Sequence, residues 1–170
     1  MSAQYKIAWE APRFWEKQYN IYGGISFPKQ TVDLVWYPSN GLFTKTGIIL
    51  SGFNFEQKDF ADSSPTPFGA LSTQEKLDAS RAAVEILHPG HGKSLTKPIY
   101  VSWQKIPYSL GCLAMNNMTG AKSAYSELSK PEGRYFIAGD YVSHLTGWQE
   151  GAALAAHRAV KGIEEHMQSS

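Results

Sequence analysis

The chain of 170 residues is 42% hydrophobic and 18% charged. That balance suits a globular chain with a real core and excludes the disordered and fibrous classes. Sixteen basic against fifteen acidic residues leave a formal net charge of +1, so nothing global favours nucleic acid or an anionic membrane as a partner.

Tyr5 to Glu10, within YKIAWEA, alternates weakly and predicts a strand close to the start. An unpaired strand leaves backbone donors and acceptors unmet, so its partner is either the strand predicted at Val32 to Tyr37 or a strand contributed from elsewhere. RFWEKQYN, after Pro12, is too short to establish a helix by pattern, and Gly23-Gly24 closes it. VDLVWYP and GIILSGFNF are rich in β-branched and aromatic residues and are separated by PSNG, which predicts two neighbouring antiparallel strands. Pro65 and Pro67 make the stretch from Asp62 to Ala70 a loop. Ser72 and Glu75 write a capping box for a helix along TQEKLDASRAAVEILH, where Leu77, Val84 and Leu87 recur at helical spacing before Pro89-Gly90 ends it. KPIYVSWQKI predicts another strand, and YSLGCLAMNNMTGAKSAYSELSKPEG reads as mostly irregular.

The last stretch, RYFIAGDYVSHLTGWQEGAALAAHRAV, carries the most chemistry. Tyr135, Phe136 and Ile137 predict a buried strand ending in Gly139-Asp140. There the glycine admits close backbone approach, and the carboxylate can accept sugar-type hydroxyls. Thr146 and Gln149 form a second capping box, so a helix is expected to begin near Gly147. The N–H groups of Trp148, Gln149 and Glu150 then point out of its first turn. With the partial positive charge of the helix end, those donors suit an acceptor-rich or anionic group, and the small residues Gly151, Ala152, Ala153, Ala155 and Ala156 allow close packing. Each feature also has a plain structural reading as a turn, a cap or a well-packed helix.

No charged segment followed by an apolar core opens the first thirty residues or so, and no run of about eighteen apolar residues occurs, so a cytoplasmic location without a membrane span is expected. Cys112, the single cysteine, cannot form an internal disulfide and is expected to be a small buried thiol. His88 and His91, in HPGHG, lack further ligands nearby, so a polar loop rather than a metal site is expected.

The stretch from Arg134 to Val160 resembles the C-terminal flavin-binding segment of FAD-dependent amine oxidases: an aromatic strand ending in Ala-Gly-acid, then Gly-Trp, then Gly-Ala before a helix. RFWEKQYNIYGGISF, VWYPSNG and VSWQKIPYSLGC look like landmarks of the L-amino-acid oxidase branch of the flavin monoamine oxidase family, in the same order. The resemblance covers nearly the whole chain but only about the last third of a usual member. It implies an α+β fold, in which residues 1–100 are the late part of a mixed-sheet substrate-binding domain. Residues 101–170 are then the closing strand and helix of a Rossmann-like FAD-binding domain. No G-x-G-x-x-G fingerprint opens a βαβ unit here.

Residue by residue, the resemblance implies that Gly139, Asp140, Gly147, Trp148, Gln149 and Ala152 bind FAD. Asp140 is one methylene shorter than the commoner Glu. Lys6 matches the family lysine that assists the oxidative half of the cycle, and Trp36, Phe53, Trp103 and Trp148 match the substrate cavity. Phe53 falls near the position where several amino-acid oxidases carry a tyrosine that bonds the substrate carboxylate, which a phenyl ring cannot do. Cys112 falls close to the site of a covalent flavin thioether in monoamine oxidases, whereas amino-acid oxidases usually hold FAD non-covalently. The implied function is a subunit or C-terminal fragment of a flavin oxidase that deaminates an L-amino acid or amine, releasing ammonia and hydrogen peroxide. It would require a larger partner chain supplying the N-terminal FAD-binding half. The alternative is a non-catalytic remnant or interaction module of the same fold without flavin.

Overall fold

The computed structural model describes residues 3–56, 66–109, 111–112 and 121–168. The chain divides into two compact units, Ser2–Gly111 and Cys112–Ser170. The first is built on a five-stranded sheet in which β1 (Ala3–Pro12), β2 (Ile25–Ser26), β3 (Leu34–Trp36), β4 (Thr46–Glu56) and β5 (Thr96–Ser102) lie in the order β2-β3-β4-β1-β5. Every pairing is antiparallel, so the expected mixed sheet is corrected: within this chain the α+β fold carries a purely antiparallel one.

The expected pairing of the Tyr5–Glu10 strand with Val32–Tyr37 is also corrected. β1 pairs with β4 and β5, and β4 separates it from β3. Length decides this: β1 has ten residues and β4 eleven, so the two pair along their whole run, which the three residues of β3 cannot do. β3 and β4 are antiparallel neighbours as expected.

Alternation along β1 places Tyr5, Ile7, Trp9 and Ala11 on one buried face. They form the core with Phe14 and Trp15 of α1 (Phe14–Tyr19) and with Ala83 and Val84 of α3 (Thr73–Leu87). The α3 capping box is present as predicted, with Ser72 Oγ accepting from Glu75 N and the Glu75 carboxylate accepting from Ser72 N. A buried polar chain ties this helix to the sheet. Trp9 Nε1 donates to Ser80 Oγ at 2.7 Å, and Ser80 Oγ meets Ser51 Oγ at 2.7 Å. Ser51 is the surplus residue of a bulge in β4, since Ile7 faces Gly52 while Ala8 faces Leu50.

RFWEKQYN does form a helix, α1, which ends at Asn20 in the left-handed conformation (φ 54°). The buried Arg13 guanidinium pairs with the buried Glu16 carboxylate and donates to Thr44 Oγ1 and to the carbonyls of Asn40 and Thr46. These long-range contacts stabilise the short helix. The loop expected from Asp62 to Ala70 contains one helical turn, α2 (Pro67–Ala70), capped by Thr66 Oγ1; its residues before Thr66 lie outside the described ones.

In Cys112–Ser170 the segment expected to be irregular contains a helix, α4 (Ala121–Leu128). The expected buried strand at Tyr135–Ile137 is corrected to an extended, exposed stretch with one isolated bridge, Glu132 to Tyr135; Tyr135 is 80% exposed. An apolar run becomes a buried strand only when neighbours pair with its backbone on both sides, and among the described residues of this unit none does. α5 (Gln149–Gln168) closes the chain. Among the described residues no helix is long and apolar enough to cross a membrane.

Candidate functional site

The residues singled out from the sequence fall into two groups, one in each unit. In the first unit, strand register assembles Lys6, Trp36, Phe53 and Trp103. Lys6 lies directly opposite Phe53 across β1 and β4 and opposite Val101 across β1 and β5, and Leu34 lies opposite Phe53 on the other side. This row sits on the sheet face that points away from the Tyr5, Ile7 and Trp9 core.

Lys6 Nζ lies 4.9 Å from the centroid of the Phe53 ring and 6.0 Å from that of Trp103. Phe53 in turn packs on Trp36, with centroids 5.8 Å apart and planes tilted by 47°. Phe53 is buried and Trp36 exposed, so the cluster has a covered base and an open side. The short 3-10 turn Trp103–Lys105 follows β5 directly, which brings Trp103 to the end of the row. Trp103 Nε1 and Gln104 Oε1 are buried without a hydrogen-bond partner among the described residues. No local pattern in the sequence marks Gln104 for such a place.

In the second unit, a loop joins Gly139-Asp140 to the start of α5. Gly139 (φ 152°) and Gly147 (φ 83°) both adopt backbone conformations that disfavour a side chain, and a Cβ at Gly139 would overlap the Tyr141 ring. Asp140 Oδ2 accepts from Gly147 N at 2.7 Å. One oxygen expected to meet a ligand hydroxyl therefore closes the loop on itself. Thr146 Oγ1 donates to Ser143 O, and Ser143 Oγ accepts from Leu145 N.

α5 begins at Gln149 rather than near Gly147, with Ala152 N donating to Trp148 O as its first helical bond. The Trp148 N–H, expected to be free, donates to Leu145 O at 3.2 Å, because the chain still turns there. The N–H groups of Gln149, Glu150 and Gly151 have no acceptor within the helix, and of these residues Gly151 is buried. Gly147, Trp148, Gln149 and Glu150 are all exposed, the Trp148 indole to 70%, while Ala152 is half-buried one turn in. A Cβ at Gly151 would strike the Leu145 carbonyl oxygen, so the loop presses directly on the helix. Arg158 Nη1 holds the same loop from farther along α5 by donating to Val142 O at 2.8 Å. Neither Arg158 nor Ser143 carries a sequence signal for this positioning role.

This unit also carries a surface hollow of about 440 Å³, lined by Pro131, Phe136, Arg158, Gly162 and His166 among others and by none of the cofactor candidates. Cys112 is exposed, which corrects the expected buried thiol; Gly111 beside it is the buried residue.

His88 and His91 serve the first unit's core and surface. His88 is buried, with Nε2 2.7 Å from the Tyr37 hydroxyl, and its ring meets Phe14 and Tyr19 edge-on. Burial holds its pKa below the usual histidine range, and the nearby His91 adds to the effect. His91 stacks on Phe14 at 4.1 Å and meets Gln18 Oε1. The turn between them is organised by Glu85, whose carboxylate accepts from Gly90 N and Gly92 N; those bonds lower its pKa.

The family pattern described as flavin containing amine oxidoreductase matches residues 14–163. The L-amino-acid oxidase of Siganus canaliculatus is 28% identical over 156 residues, covering 90% of this chain and 28% of that protein. Those of Protobothrops flavoviridis (26% over 165 residues; 91% and 30% covered) and Daboia siamensis (25% over 159 residues; 89% and 36% covered) are similar in the same way. The chain thus spans about a third of the length of the curated relatives it matches. By the extent of the family match, the chain belongs to the flavin-containing amine oxidoreductases, whose flavin is FAD.

Proposed function

We propose that this chain is the subunit or C-terminal fragment of an FAD-dependent oxidase that deaminates an L-amino acid or amine, completed by a larger chain carrying the dinucleotide fingerprint. The observation that carries the proposal is that about 90% of this chain aligns with about 30% of each of several L-amino-acid oxidases. In this reading residues 1–100 contribute to the substrate-binding domain and residues 101–170 to the FAD-binding domain.

The residues present fit a flavin. Gln149 and Glu150 lie exposed in the first turn at the positive end of a helix, Trp148 presents an exposed aromatic ring beside them, and Gly139 and Gly147 bear no side chain of their own. These residues, with Asp140 and Ala152, would hold the cofactor non-covalently; the exposed Cys112 is the candidate for a covalent link if one exists. When bound, FAD supplies an acceptor for the hydride leaving the carbon that bears the amine, and passes the electrons on to oxygen. A helix N-terminus stabilises the negative charge that reduction brings, with no reorganisation of the protein. Lys6 supplies a fixed cation and hydrogen-bond donors for the oxidative half-reaction. Trp36, Phe53 and Trp103 of the first unit are aromatic walls suited to a substrate with an apolar side chain.

A second reading, a non-catalytic module of the same fold, is favoured by one observation: the Asp140 carboxylate closes its own loop through Gly147 N. The two readings separate when the chain is purified with any polypeptide that accompanies it. A yellow complex containing a larger chain supports the oxidase, and a colourless stable monomer supports the module. In the yellow complex, Trp148→Ala and Asp140→Ala each lower the flavin-to-protein ratio; an unchanged ratio in both removes the cofactor assignment.

A further inference from the structure

We propose that Phe53 and Trp103 are positioning residues that seat the Lys6 ammonium against two aromatic rings and fix the direction in which its N–H donors point. The inference rests on the reading of Lys6 as the residue that assists the oxidative half-reaction, and it adds how the chain holds that residue. Two other lysines of this chain commit donors to carboxylates, Lys97 to Glu10 at 2.6 Å and Lys130 to Glu127 at 2.6 Å. Lys6 differs. Among the described residues its contacts are the Phe53 ring at 4.9 Å and the Trp103 ring at 6.0 Å.

The difference has a chemical consequence. A carboxylate would hold the ammonium by neutralising it and by accepting its hydrogen bonds, whereas an aromatic face attracts the cation through the ring quadrupole and leaves its charge uncompensated. The N–H donors then stay available to a water or an anion on the open side of the cluster. A lysine stem has several rotatable bonds, so a cation meant to act in one direction needs a seat that restricts it. The seat is itself fixed: Phe53 lies directly opposite Lys6 in the β1–β4 ladder, is buried, and packs on Trp36 at 5.8 Å. Trp103 is set by the turn that immediately follows β5. The phenyl ring of Phe53 suffices for this role, because a ring face holds a cation whether or not it bears a hydroxyl.

The test needs no flavin. In ¹H–¹³C spectra of lysine side chains in the 170-residue chain, with Lys6→Arg used for assignment, the Lys6 ε-methylene protons should lie upfield of the remaining lysines through ring-current shielding. Phe53→Leu and Trp103→Leu should each move them toward the common lysine position, and Phe53→Tyr should retain the shift. A Lys6 signal among the other lysines in the parent chain, or one unmoved by both leucine variants, overturns the proposal. If the leucine variants lose the Trp9 indole signal that reports the folded core, the parent position decides. In a flavin-bearing assembly, Phe53→Leu should slow reoxidation about tenfold more than it slows substrate reduction, the rate equivalent of one cation–π contact. Equal slowing of both half-reactions also counts against the seat. Recovery of no flavin in any preparation counts instead against the oxidase reading, and leaves the shielding result to decide the seat.

Discussion

Lys6 is the residue on which the oxidase reading places the sharpest demand. Its charge stands against aromatic faces rather than a carboxylate. Replacing it with methionine should preserve the packing of the stem while removing the charge. The expected result is slower reoxidation with a smaller effect on substrate reduction, read by stopped-flow flavin absorbance. His88 makes a different prediction, about stability. Its ring is buried with Nδ1 unpartnered and Nε2 on Tyr37, so a second proton would need a buried donor with nothing to accept it. The folded state therefore holds the His88 pKa below its unfolded value of roughly 6.5. The unfolded chain binds more protons at that group, so stability is fully present above the unfolded pKa and falls as pH drops through it. Urea unfolding midpoints should decrease from pH 7.5 to pH 5, and His88→Gln should flatten that slope.

At the scale of elements, the turn before α5 is the most constrained piece of the second unit. A side chain at Gly151 would meet the Leu145 carbonyl oxygen, a backbone atom with no rotamer by which to escape. Gly151→Ala should destabilise the turn by about 1–3 kcal/mol, as overpacking does elsewhere, visible as faster amide exchange at Gly147 and Trp148. How much of each element was legible follows from where its determinants lie. The α3 helix could be read completely, because Ser72, Glu75 and its apolar spacing are local. The α1 helix could not, because its stability comes from Arg13 reaching Thr44, Asn40 and Thr46. Tyr135–Ile137 failed in the opposite way: its apolar pattern is that of a buried strand, but its neighbours are not among the described residues. The site divided along the same line. The strand that carries Lys6 was legible in its weak alternation. The pairing that sets it opposite Phe53 depended on β4 rather than β3 lying alongside, which local pattern does not specify. At α5 the Gly-Trp-Gln motif was legible, while the helix start moved because Trp148 N turned to Leu145 O.

For the whole molecule, the sheet of Ser2–Gly111 covers one face with α1 and α3 and leaves Trp36, Ile48 and Ile99 exposed on the strands. An exposed apolar sheet face is a common mark of a surface that meets another polypeptide. The oxidase reading supplies that polypeptide, and it predicts a native mass well above the 18.8 kDa of this chain, with a non-identical chain in the complex, measured by native mass spectrometry. A lone 18.8 kDa species would contradict the requirement for a partner.

The bulge at Ser51 has a consequence for how this sheet tolerates change. Removing one amino acid from a strand ordinarily inverts everything downstream, turning its two faces inside out. Here the surplus position is Ser51 toward both flanking strands: Ala8 faces Leu50 and Ile7 faces Gly52 on one side, and Trp36 faces Leu50 while Leu34 faces Phe53 on the other. Excising Ser51 would restore an even two-residue beat and leave Phe53 across from Lys6. The loss would be a single hydroxyl from beside Ser80, so a frame-shortened β4 is a change the aromatic row should survive.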